Sequence, residues 1–131
     1  MVELQLANEI LDRIRAIDGR YHERAYLFVL AALEYCQQNR TERGHISGPE
    51  LAWACRDLAM EQFGLTSKTV FGHWGIHATD DIGKIVFVLI EVGLLMPHDN
   101  DRIEDFHAVY NVEEAFEEYP WAGVGRTGGG V

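Results

Sequence analysis

The chain has 131 residues, enough for one domain, and its 47% hydrophobic content supplies an ordinary core. A net charge of −10 argues against a surface built to hold phosphates. Two cysteines without CxxC spacing, Cys36 and Cys55, give no disulfide framework and read as reduced core thiols.

The N-terminus, MVELQLANEI, lacks a basic segment followed by a continuous apolar core, so it is not a signal peptide, and a cytoplasmic location is expected. Leu4, Ala7, Ile10, Leu11, Ile14 and Ile17 recur at helical spacing, which predicts an amphipathic helix over 3–17. Asp18-Gly19 stops it. A second helix is expected over 23–38, with Tyr26, Phe28, Val29, Leu30, Leu33 and Cys36 inside. His45-Ile46 reads as a very short strand. Ser47-Gly48-Pro49-Glu50 is a capping box with proline in the first turn. The third helix then runs to about Phe63, with Leu51, Ala54, Cys55, Leu58 and Ala59 inward, and Gly64 ends it. Thr66 or Ser67 is expected to cap a short helix that runs through Trp74 and ends at Gly75.

The longest apolar run, Ile85 to Ile90, lies within Thr79 to Met96. Thr79 is the expected N-cap, Asp80 and Asp81 complement the helix dipole, and Gly93 is the expected left-handed terminator. A helix over about 79–92 with apolar residues on nearly all sides is a buried central helix, in which Phe87 is expected to be core. Asp80, Lys84 and Glu91 share one stripe, at about 100° per residue, and that stripe reaches water. The run is bracketed by charges and falls short of the roughly 20 residues that a membrane span needs.

Leu94-Leu95-Met96 and Phe106 to Tyr110 are expected to pair as two strands around an acidic turn. Asn111-Val112-Glu113-Glu114 starts a short helix to Tyr119. The expected organisation is a single compact helical domain over 1–121, then a loose tail over 122–131 with five glycines in ten residues. The fold class is therefore mainly α with a small β-hairpin. Its element order resembles the winged-helix variant of the helix-turn-helix fold, with Ser67 to Ile76 inserted before the third helix.

A resemblance also covers most of the chain before the tail. It is carried by Gly48, Glu50 and Leu51, by Trp74-Gly75-Ile76, and by Asp81, Gly83 and Val86-Phe87. Gly93, Asp105-Phe106 and Tyr110 complete it. These blocks are similar to those of a small uncharacterised bacterial family typical of Planctomycetes and Verrucomicrobia. The resemblance implies no activity.

Chemistry candidates are few. His73 and His77 have a metal-ligand spacing, and Asp80 or Asp81 would add oxygen. Gly75 breaks the helix between the histidines, so polar and capping roles are the preferred reading, with no cofactor expected. Asp99, Asp101, Glu104 and Asp105 do not make an EF-hand, because Glu104 stands where that loop needs glycine. No serine lies in a nucleophile elbow, and no phosphate loop is present. Trp53 and Trp74 read as core aromatics, and the alternative is a binding groove lined by Trp74 with Ile76 and His77. The leading expectation is a non-catalytic protein-interaction or regulatory module whose partner is another protein, with no nucleic acid and no membrane. The alternatives are a winged-helix DNA-binding regulator and a small metal-dependent enzyme using His73 and His77.

Overall fold

A computed structural model describes residues 2–40, 44–96 and 102–117, with side chains from Asn8 onward. Among the described residues six α-helices follow one another: α1 Val2–Ile17, α2 Glu23–Gln38, α3 Gly48–Phe63, α4 Ser67–Trp74, α5 Thr79–Glu91 and α6 Val112–Glu117. Short 3-10 turns at Gly64–Thr66 and Ile103–Phe106 join them. The core is built on α2, α3 and α5, which pack on one another. The Ile103–Phe106 turn packs on α3 and α5, α4 and α6 pack on α3, and α1 leans on α5.

Several ends are set by the residues that the sequence singles out. Glu50 N donates to Ser47 Oγ at 3.2 Å and Ser47 N donates to Glu50 Oε1 at 2.9 Å, a reciprocal box at the start of α3. Gly75 and Gly93, at φ +93° and +87°, end α4 and α5. At Gly93 the amide of Leu94 donates to Leu89 O at 2.9 Å and that of Gly93 to Ile90 O at 3.0 Å, a Schellman ending.

The expected β-hairpin wing is not there, and with it goes the winged-helix likeness: the described residues contain no strand. The reason lies in the backbone hydrogen bonds. Leu94 and Leu95 both donate to Leu89 O, so they complete α5 instead of starting a strand. Around Phe106, the Thr79 hydroxyl donates to Phe106 O at 2.6 Å and accepts from Val109 N at 3.1 Å. One buried side chain thus takes the backbone groups that a partner strand would need. The short strand expected at His45-Ile46 is also absent. His45 O instead accepts from Arg40 Nη1, and Gln37 clasps both backbone groups of Gly44.

Two expected caps also change hands. Thr79 lies inside α5, fully buried, and the cap is supplied by Asp81, whose Oδ2 accepts from His77 N and Ala78 N. Neither Thr66 nor Ser67 caps α4. The Ser67 hydroxyl donates back to Ala59 O and Gly64 O, closing the end of α3. Residues 97–101 of the acidic turn and the tail from 118 lie outside the described residues.

The carboxylates that hold these ends bring a pH dependence. The Ser47 amide holds Glu50 below its ordinary pKa, and the His107 side chain does the same for Asp80. A depressed carboxylate contributes stability above its unfolded pKa and loses it as pH falls through the folded one. The melting temperature is therefore expected to fall on acidification below about pH 4.5, near the free carboxylate values. Asp80→Asn should flatten part of that fall in melts recorded from pH 6 to pH 3.

Candidate functional site

Phe106 organises one apolar-walled concavity on the surface. It is 5% exposed and wedged between two glycines. A Cβ on Gly83 of α5 would lie 2.8 Å from its ring, and one on Gly48 of α3 would lie 3.0 Å from Asp105 Cβ. Both helices can approach the 3-10 turn this closely because those side chains are missing. Asp105 caps its own turn, accepting from Arg102 N at 3.2 Å. Tyr110 then anchors the exit, its hydroxyl donating to Ala52 O at 2.8 Å.

The groove lies between the C-terminal half of α2, the start of α3, the C-terminal half of α5 and this turn. It encloses about 210 Å³. Leu33, Leu51, Val86, Phe87, Ile90 and Leu95 make its apolar walls, and Met96, 88% exposed, stands at the rim. Gln37, which also lines it, is already committed to Gly44 through both amide atoms. His45, Ser47, Arg102 and Asp105 add polar groups to the lining, so the groove sets an apolar wall beside a polar edge.

Phe87 corrects an expectation. It is half-buried, not core, because it falls on the same stripe of α5 as Asp80, Lys84 and Glu91. Phe87→Ala is accordingly expected to cost about 1 kcal/mol, well short of the 3–5 kcal/mol of a buried phenylalanine. Chemical denaturation of the two proteins side by side measures the difference.

The candidate groove of Trp74, Ile76 and His77 does not form. Trp74 is 7% exposed and Ile76 1%. Trp74 belongs to an aromatic cluster, with ring centroids 5.3 Å from Phe28, 5.7 Å from Phe63 and 6.2 Å from Phe71. His77 is exposed and lines an open depression with Asp80, Tyr110 and Asn111, which neither Trp74 nor Ile76 lines. Trp53 is not the core aromatic expected: it is 38% exposed, with its ring centroid 4.6 Å from that of Tyr110.

The metal candidates disperse. Asp81 is engaged by Tyr21, whose hydroxyl donates to it at 2.5 Å, as well as by two amides. Asp80 accepts from His107 Nδ1 at 2.9 Å. His73 faces His22 across the junction of α2 and α4, with 5.8 Å between ring centroids. Among the described residues no three His, Cys, Asp or Glu side chains gather as a metal cluster. Burial pushes the Cys55 thiol up strongly and the Cys36 thiol up as well, away from thiolate chemistry.

Arg56 is one buried cation that sequence reasoning missed. It is 3% exposed, donates to Ala115 O near the end of α6 and pairs with Asp57 at 3.1 Å. A positive charge at a helix C-terminus complements its dipole, so Arg56 fixes α6 to α3. No described helix is long and apolar enough to cross a membrane. No protein-family model, curated protein or solved structure matches the chain.

Proposed function

We propose that the chain is a non-catalytic interaction module whose groove between α2, α3 and α5 takes one or two apolar side chains from a protein partner. The observation that carries this reading is the groove itself: apolar walls around about 210 Å³, with a phenylalanine and a methionine left half or fully open at its edge. That volume is below the usual range for pockets that hold drug-sized ligands or cofactors and suits a few side chains. Some of the residues that carry the resemblance to the bacterial family line it, namely Gly48, Leu51, Val86, Phe87, Asp105 and Phe106, and others, such as Trp74 and Gly93, do not.

Panning a random peptide display library on the full chain tests this reading. Enriched sequences are expected to carry paired large apolar residues. Their binding should fall at least tenfold on Phe87→Ser or Met96→Lys, both of which change groove-lining residues that are not fully buried. Failure to enrich any sequence, or enrichment indifferent to both substitutions, would contradict it.

The DNA-reading alternative is less well supported. A recognition helix offers polar and basic side chains to the major groove, whereas α5 carries a single basic residue, Lys84, and buries most of its length. Mixed-sequence duplex at about 50 mM salt, where phosphate contacts are strong, is expected to give no salt-dependent binding in fluorescence anisotropy. Micromolar binding lost on Lys84→Glu would restore that alternative.

A further inference from the structure

Two exposed imidazoles from distant parts of the sequence meet where α2 begins and α4 ends. The rings of His22 and His73 have centroids 5.8 Å apart and planes inclined by 40°. Their backbones are held in register. His22 N donates to Trp74 O at 3.1 Å, and the residues before His22 pack on Gly75, where a Cβ would lie 3.3 Å from Arg20 O. The two rings therefore sit on one pre-organised junction rather than on two independent segments.

That separation is close to what a shared metal ion imposes. Bonds of about 2.0–2.1 Å from zinc to imidazole nitrogen put each ring centre about 3.2 Å from the ion, and a tetrahedral angle then leaves the centres about 5 Å apart. Both side chains are exposed, so modest rotation closes the difference. We propose that His22 and His73 form a two-histidine surface site for a divalent transition ion such as zinc or nickel, with water completing the coordination. Imidazole suits these ions.

The proton inventory is specific. In the free protein His22 Nδ1 accepts from Arg24 N at 3.1 Å, so the proton of the neutral ring sits on Nε2. Coordination through Nε2 moves that proton to Nδ1 and releases the Arg24 amide to water. His73 binds as the neutral ring. Arg20 and Arg24, two residues to either side of His22, oppose a cation. With two ligands only, the ion is held reversibly.

Titration of the full chain with zinc chloride, by calorimetry and by thermal melting, tests the site. One ion per chain is expected. At free zinc ten times the dissociation constant, the folding equilibrium should shift about tenfold. His22→Asn keeps a capping oxygen for α2 and should abolish binding, as should His73→Gln, while His77→Ala should leave it unchanged. The Arg24 amide resonance should move as zinc is added. The proposal is overturned by no saturable binding up to about 1 mM, a weak-affinity limit. It is also overturned by binding that survives both His22→Asn and His73→Gln.

Discussion

Phe106→Ala is expected to cost about 3–5 kcal/mol, a large share of the 5–15 kcal/mol that holds a domain of this kind together. The ring is buried, and it lies against Gly48 and Gly83 so closely that nothing else can fill the space without movement of α3 or α5. The same geometry makes Gly83→Ala destabilising alone, by about 1–3 kcal/mol, because its new methyl meets the ring. In the Phe106→Ala background that methyl enters the vacated space. The double substitution should therefore cost less than the sum of the single ones, with a coupling measurable by urea denaturation. Strict additivity would mean that the ring does not lie between the two glycines.

Asp81→Ala is expected to cost about 2–3 kcal/mol, since hydrogen bonds to charged groups contribute about 1.5–3 kcal/mol. Its carboxylate serves the amides of His77 and Ala78 and the hydroxyl of Tyr21 at once. It therefore caps α5 and ties the segment between α1 and α2 to it. Burial and the Asp81 carboxylate raise the Tyr21 phenol pKa, so the phenol stays protonated and donates at neutral pH. Tyr21→Phe removes one of the three partners and should cost about 1 kcal/mol, near the average for a single hydrogen bond. Equal losses for the two substitutions would mean that the amides do not depend on Asp81.

Much of the helical frame was legible because it is written locally. The spacing of Ile10, Leu11 and Ile14, the Ser47–Glu50 box, and the glycines at 64, 75 and 93 need only neighbours in sequence to act. What the sequence concealed was set at long range. Phe106, Ala108 and Tyr110 alternate as a strand does, but Thr79 takes the flanking backbone groups from a distance. Thr79 itself looked like a cap because threonine is a good one. Its burial against the 3-10 turn gave the hydroxyl a different use.

Phe87 was hidden in plain sight. It lies four residues before Glu91 and three after Lys84, on the stripe that reaches water, and the density of apolar neighbours masked it. Trp74 is the core aromatic that its size suits: Phe28, Phe63 and Phe71 converge on it from α2, α3 and α4, which leaves no place for the alternative of a groove there. His22 was passed over because nothing near it in sequence resembles a ligand set, and only the packing of Gly75 brings it to His73.

The proposed function stands on the groove between α2, α3 and α5 being a partner surface. Methyl-resolved NMR of the full chain, titrated with a peptide enriched by display, tests it most directly. The largest shifts are expected on the methyl groups of Leu33, Val86, Ile90 and Leu95, which line the groove. Shifts confined to exposed Leu27 and Leu65, which lie outside it, would rule out a partner bound in the groove.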